Sequence, residues 1–256
     1  MKKIKAKKSL AQHFLKDENI SLKIVNSLSY SDKYSEVLEI GPGMGMLTKY
    51  LIKKNIKLHL IELDINSVDY LKIKYPEIKD KIIFADFLKY KLNNISKKPF
   101  AVIGNFPYNI SSQILFKILE NKDIVPEIVG MFQKEVALRI GSKPNNKSYG
   151  IISVLLQAYY DIDYLFTVEN TSFFPVPKVC SAVIRLTRNN KQNLGCDEVL
   201  FKKVVKTAFS QRRKMLKNTL KVFNINNPDI QAEYFTKRAE NLNVNDFVKV
   251  TNSIDI

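Results

Sequence analysis

The sequence predicts an α/β fold, a doubly wound and mostly parallel sheet followed by a small helical tail. Three observations predict it. From residue 36 onward, short β-rich apolar runs alternate with stretches of helical periodicity. The first of those runs ends in a glycine-rich turn that opens a helix, and beyond residue 190 the periodicity is helical throughout.

The strand candidates are EVLEI (36–40), KLHLIEL (57–63), KIIFA (81–85), FAVIG (100–104) and EIVGMF (127–132). Two more, 164–168 and 181–186, flank the proline-containing loop FFPVPKV and are placed to close the sheet with an antiparallel strand. After the fourth run the chain reads GNFPYNISSQILFK, where Pro107 ends pairing and Ile110, Ile114, Leu115 and Ile118 recur at helical spacing. Asn109 and Ser111 are its candidate caps. The segment NNKQNLG after Arg188 is polar and turn-like, and Leu200, Val204, Val205, Ala208, Leu216 and Leu220 then mark helices. A boundary is therefore expected near residue 190, between a sheet domain (1–189, with a basic extension 1–16) and a helical domain (190–256).

With 45% hydrophobic residues in 256, the chain can bury a full core. Cys180 and Cys196 have no metal-ligand spacing, no metal site is expected, and the protein is expected to be intracellular and cytoplasmic. The basic start MKKIKAKKSLAQHFL runs into Lys16, Asp17 and Glu18 instead of an apolar segment, which argues against a signal peptide, and no run is long enough to span a bilayer. The net charge of +16 favours a polyanionic partner. Only six of the 41 basic residues are Arg, so a general preference for Lys competes with that reading, but the placement of the charge resists it. Residues 1–16 hold six Lys and no acid, and eight basic residues with no acid lie between Glu198 and Asp229, Arg212 and Arg213 among them.

The turn GPGMGMLT places Gly41, Gly43 and Gly45 where bare backbone amides and a helix start can face an anionic group. The dinucleotide fingerprint asks for a glycine where Met46 stands, and no Lys-Ser/Thr follows as in a P-loop. Glu62 closes the second strand about 20 residues on, where a carboxylate grips ribose hydroxyls. Asp86 closes the third, placed to accept from the exocyclic amine of an adenosine ligand. Either acid alone is more often a cap or a solvated turn. Three successive strand ends carrying glycines, acid and acid are harder to ascribe to chance.

Together with the quartet Asn105-Phe106-Pro107-Tyr108, these residues resemble class I S-adenosylmethionine-dependent methyltransferases that act on adenine N6. AQHFL, VLEIGPGMGMLT, LIELD, GNFPYNIS, FQKEVALRI, FFPVPKVCSAVIRL and AFSQRRKMLKNTL extend the likeness along nearly the whole chain to the bacterial small-subunit rRNA adenine N6,N6-dimethyltransferases. The resemblance implies a Rossmann-like sheet of seven strands with a small all-helical C-terminal domain, S-adenosyl-L-methionine as cofactor, and a monomer. Its implied partner is small-subunit rRNA in a pre-ribosomal particle, whose adjacent adenosines in the 3′-terminal hairpin loop would be dimethylated, with a role in subunit biogenesis. Two positions depart from the family pattern. His13 stands where Asn is usual, with a ring nitrogen still able to bond the cofactor, and Phe106 replaces Leu, which leaves its carbonyl available. Leu15 would pack against the ligand, and His59, mid-strand, reads as structural.

Adenine N6 is a poor nucleophile because its lone pair is delocalised into the ring. The side-chain carbonyl of Asn105 and the backbone carbonyl of Phe106 are two acceptors suited to its two hydrogens, with Pro107 stiffening the loop. Tyr108 and Phe173 are expected to stack on the two faces of a base flipped from its helix. Arg212, Arg213, Lys214 and Lys217, read as one helix, are the expected rRNA contacts, with the N-terminal lysines next in line. Two other readings compete. One is a large-subunit rRNA adenine methyltransferase of the macrolide-resistance type, and the other a non-catalytic RNA-binding assembly factor.

Overall fold

The computed structural model describes Lys7, Leu10 and residues 12–255. Lys2, Lys3, Lys5 and Lys8 of the basic extension lie outside the described residues. The strands are β1 (Phe14–Leu15), β2 (Glu36–Ile40), β3 (Lys57–Glu62), β4 (Ile82–Phe84), β5 (Phe100–Asn105), β6 (Glu127–Gln133), β7 (Tyr160–Val168), β8 (Phe173–Phe174) and β9 (Ser181–Arg188). The α-helices are α1 (Glu18–Val25), α2 (Thr48–Leu51), α3 (Ile65–Lys74), α4 (Ser111–Leu119), α5 (Lys134–Ile140), α6 (Ile151–Gln157), α7 (Glu198–Phe209), α8 (Leu216–Thr219), α9 (Pro228–Tyr234) and α10 (Val244–Asn252). Among the described residues no helix is long and apolar enough to cross a membrane.

Seven strands form one sheet in the order β4-β3-β2-β5-β6-β9-β7. β4, β3, β2, β5 and β6 run parallel, and β9 joins β6 antiparallel. The order reverses direction between β2 and β5, and at such a switch point the loops leaving the strands splay apart to form a crevice. β2 is buried at every position, its two acids Glu36 and Glu39 included, and β5 at all but Asn105, as central strands of a covered parallel sheet. Val37, Leu58, Leu60, Ala101, Ile103, Val129, Met131 and Val183 share one cluster with Ile24, Val25 and Leu51 from the helices.

Three local expectations change. Neither Asn109 nor Ser111 caps α4. Ile110 holds the N-cap position without a side-chain bond, and the Ser111 hydroxyl donates backward to the Tyr108 carbonyl. β7 starts at Tyr160, because an edge strand tolerates the exposed Asp161 and Asp163 that break the apolar pattern. Residues 211–214 are a turn and not part of a helix. The chain is extended at Met215, which bridges Arg238, while the Leu216 amide donates to the Lys237 carbonyl, and these interactions override helical propensity.

The chain divides into two compact units, one of Met1–Ala137 with Ile162–Arg188, the other of Leu138–Asp161 with Asn189–Ile256. The sequence assigns all of 1–189 to the sheet domain, whereas residues 138–161 belong with the C-terminal helices. The reason is α6, whose residues Ile152 to Leu156 are all buried and which packs against α7 in that second unit. There Tyr149 meets Phe209 edge-on with centroids 6.3 Å apart, and Phe209 packs on Phe247 at 6.0 Å.

Candidate active site

The loops at the carboxyl ends of β2, β3, β4 and β5 surround a cavity of about 320 Å³, whose walls include Gly41, Gly43, Glu62, Asp86, Asn105 and Tyr108. The loop after β2 is the tightest of these. Gly41, Gly43 and Gly45 have φ of 66°, 54° and 78°, in the left-handed region that favours glycine. Gly41 and Gly43 line the cavity, but Gly45 does not, contrary to its expected place against the ligand. It lies under α3, where an added Cβ would stand 2.7 Å from the Tyr75 ring, so its task is packing.

Glu62 ends β3 nearly buried. Its Oε2 accepts from the Gly43 amide at 3.0 Å, and Oε1 from the amides of Leu63 and Asp64 at 2.8 Å each. Burial pushes its carboxyl up, against three amides that favour the anion. One carboxylate thus ties the glycine loop to the end of the neighbouring strand while facing the cavity. Asp86 Oδ1 accepts from the Leu88 amide at 2.9 Å, which fixes the carboxylate at the start of its turn.

Two acids that stand out only in three dimensions belong to the same region. Glu39, one residue before the end of β2, lines the cavity fully buried, accepts from the Thr48 hydroxyl at 2.7 Å, and is pushed up to about 8 by burial. Its signal in the sequence is an acid set between Leu38 and Ile40 at the end of a strand. Asp64 caps α3 and receives the Lys7 ammonium at 2.7 Å and the Gln12 amide at 3.3 Å. Burial alone would raise its carboxyl, but these partners hold it below the usual carboxylate range. The N-terminal segment is thereby fastened beside the cavity, where Leu10, Gln12, His13, Phe14 and Leu15 form part of the wall.

Asn105 is the last residue of β5, half-buried at the cavity edge. Its Nδ2 donates to the His13 carbonyl at 3.0 Å, and that bond orients the amide with Oδ1 as the group left to accept. No hydrogen bond to Oδ1 or to the Phe106 carbonyl forms among the described residues. The Phe106 ring points the other way, into the core, edge-on to Phe132 at 5.1 Å. It lies over Gly104 and Gly130, which face each other in register, and a Cβ on either would come within 2.6 or 2.4 Å of the ring. The larger side chain at position 106 fits because both neighbours lack one.

The His13 Nδ1 bonds the Pro175 carbonyl at 2.8 Å and its ring stacks on Tyr108 at 5.5 Å, so only Nε2 remains for a cofactor. The Tyr108 hydroxyl bonds Ser181 at 2.6 Å. Leu15 is buried in the cavity wall. Phe173 is not where its stacking role needs it. In the two-stranded ribbon of β1 and β8, Leu15 pairs with Phe173 and Phe14 with Phe174, so Phe173 points inward at 0% exposure and Phe174 outward at 69%. Side chains alternate across a strand, and the register sends Phe173 into the core. His59 bonds Glu36 at 2.6 Å. No group of three or more potential metal ligands occurs among the described residues.

In the second unit Arg212, Arg213, Lys214 and Lys217 are exposed. Arg212 is engaged, its Nε on Glu240 at 2.8 Å and its Nη2 on the Asn146 carbonyl at 3.4 Å.

The cavity's chemistry matches an adenosine-bearing, positively charged cofactor. Acids stand at three strand ends, the glycine loop lets a ligand approach its backbone, and the walls between are mostly apolar. The family model for ribosomal RNA adenine dimethylase matches residues 3–255. Ribosomal RNA small subunit methyltransferase A of Flavobacterium johnsoniae is 55% identical over 256 residues, covering 100% of this chain and 98% of that protein. Its counterpart in Cytophaga hutchinsonii is 54% identical over 255 residues, covering 99% of each. Among solved structures, a dimethyladenosine transferase from Plasmodium falciparum superposes with a TM-score of 0.78 at 24% identity over 93% of this chain and 96% of that one. The 23S rRNA methyltransferase ErmE superposes at 0.70 and 23% identity over 95% and 100%. At those identities the two structures speak to the fold alone.

Proposed function

The chain belongs to the ribosomal RNA adenine dimethylase family and is an S-adenosylmethionine-dependent rRNA adenine methyltransferase, and on that premise we propose its target and its residue roles. The target is two adjacent adenosines in the 3′-terminal hairpin loop of small-subunit rRNA in a pre-ribosomal particle, each carried to the N6,N6-dimethyl form by a monomeric enzyme. The observation that carries the role assignment is the Asn105 amide, oriented by the His13 carbonyl so that Oδ1 accepts beside the free carbonyl of Phe106.

Glu62 and Asp86 would hold the cofactor's ribose and adenine, with Leu15 against it and Gly41 and Gly43 giving it room. The bound cofactor supplies an electrophilic methyl on a sulfonium. Asn105 Oδ1 and the Phe106 carbonyl accept the two N6 hydrogens, which favours a pyramidal nitrogen with its lone pair localised and aimed. An amide is no base at neutral pH, so Asn105 positions and polarises, and the N6 proton leaves to water after transfer. For the second methylation one hydrogen remains and one acceptor suffices. A base reaches this site only when single-stranded or flipped, and Tyr108, fixed by His13 and Ser181, offers it one aromatic face. Arg213, Lys214 and Lys217 of the second unit offer charge for phosphates, while Arg212 spends its guanidinium on Glu240.

Labelled methyl transfer to purified unmethylated small subunits, with the products mapped, tests this reading. The expected result is two adjacent N6,N6-dimethyladenosines. Label found in large-subunit rRNA would support the macrolide-resistance type instead, and cofactor binding without any transfer would support an assembly factor.

A further inference from the structure

Phe174 is an unclaimed aromatic beside the site. It pairs with Phe14 across the β1–β8 ribbon, and residues directly opposite in an antiparallel pair project from the same face. Phe14 is in the cavity wall, its ring 3.1 Å from where a Cβ on Gly43 would stand. Phe174 therefore lies alongside the cavity-lining Phe14 on the outer face of the ribbon, and it is not itself part of the wall and is 69% exposed. The loop that follows is pinned by the Pro175 carbonyl to His13, whose ring rests on Tyr108. Val176 is exposed as well, and the exposed Lys16 and Lys178 flank the patch, Lys16 through its amide's bond to the Ser172 carbonyl in the turn before β8.

Phe174 is not a lone exposed side chain but forms a patch with the exposed Val176 and Val179 beside a nucleotide site, and a patch of that kind marks an interaction surface. A base inserted in the cavity would not reach it, because Phe174 lies outside the wall. A base at the mouth would. We propose that Phe174 is a stacking platform for the nucleotide adjoining the flipped adenosine, with Lys16 and Lys178 placed for the phosphates on either side. The inference rests on the small-subunit rRNA reading above and deepens it, because a target of two adjacent adenosines needs a place for the second base while the first is modified.

The test compares Phe174→Ala, Phe174→Leu and Phe174→Tyr with the wild type on purified unmethylated small subunits, measuring KM, kcat and cofactor affinity. Losing one base–aromatic stack, ~1–3 kcal/mol, corresponds to KM rising about 5- to 150-fold in the Ala and Leu variants. In both, KM should change more than kcat, and calorimetric cofactor affinity should stay at the wild-type value. The Tyr variant should restore KM, since it keeps the π face that Leu lacks. Equal KM in Leu and Tyr variants, or an unchanged KM in Ala, overturns the platform while leaving the methyltransferase reading intact. Failure of the wild type to methylate small subunits overturns both.

Discussion

Replacing Asn105 by alanine removes one bond present in the structure and one acceptor that the proposed mechanism uses, and each can be sized. The first is the donation from Nδ2 to the His13 carbonyl at 3.0 Å, a neutral and half-buried bond. Such a bond contributes about 0.5–1.5 kcal/mol, so the variant should fold, with its midpoint lowered by ~2–4 °C per kcal/mol for a chain of this size. The second is the Oδ1 acceptor, which matters most as N6 gains positive charge on attack. A hydrogen bond to a charged group contributes about 1.5–3 kcal/mol, and a preorganised site raises that toward ~4. At 1.36 kcal/mol per decade the methyl-transfer rate should fall about 10- to 1000-fold. Single-turnover transfer of labelled methyl with saturating cofactor and small subunits reads the rate, and calorimetry reads cofactor affinity. A loss under about threefold in the single-turnover rate, against the expected hydrogen-bond contribution, would refute the activation role, as would an equal loss in cofactor binding. Asn105→Asp sharpens the test. It keeps an acceptor but sets a carboxylate oxygen against the His13 carbonyl, so it should be less stable than the alanine variant.

Glu62→Ala should weaken S-adenosylmethionine binding by about 1.5–3 kcal/mol and lower stability, because three backbone amides lose their acceptor; an unchanged Kd would remove Glu62 from the ribose role. Glu39 holds a proton up to about pH 8 in the fold but ionises near its ordinary value when unfolded. The native state then binds more protons across that window, so stability should fall as pH rises from about 4.5 to about 8, by at most ~1.4 kcal/mol per unit. Urea midpoints at both ends of the window should show a smaller decline in Glu39→Gln, and an identical decline would show that other groups set the slope. Arg213→Ala with Lys214→Ala and Lys217→Ala should reduce the salt dependence of small-subunit binding by ~0.7–0.9 for each phosphate no longer neutralised, while sparing cofactor affinity. An unchanged slope would move the docking role to the lysines of residues 1–16.

Much of the sheet was legible because buried parallel strands are predominantly apolar, and five short runs rich in Ile, Leu, Val and Phe stand out between residues 36 and 132. Glu62, Asp86 and Asn105 were legible only together, because a single polar residue after an apolar run reads equally as a turn or cap, as Asp86 does toward the Leu88 amide, whereas three at neighbouring strand ends do not. What escaped depends on partners remote in sequence. The bond that orients Asn105 joins residues 92 apart. Phe173 and Phe174 are chemically identical neighbours, and only pairing with β1 sends one inward and the other out. The turn at 211–214 was hidden by good helix formers, because the groups that stop the helix come from Glu240, Lys237 and Arg238. Glu39 was masked by the strand pattern around it.

Phe106 divides its labour between two halves. On the proposed role the ring is a root and the carbonyl the tool, and the root sits in the slot that Gly104 and Gly130 leave for it. The three positions are therefore sterically coupled. Alanine at either glycine would set a Cβ within 2.6 or 2.4 Å of the ring and force the ring or its backbone to shift, although neither glycine lines the cavity. A smaller side chain at 106 would leave a void there without freeing either glycine, since a Cβ on Gly104 would still stand 2.7 Å from the Ile40 carbonyl oxygen and one on Gly130 2.5 Å from the Phe132 ring. The slot at this strand pair is thus held by four groups together, the two glycines, the Ile40 carbonyl and the Phe132 ring.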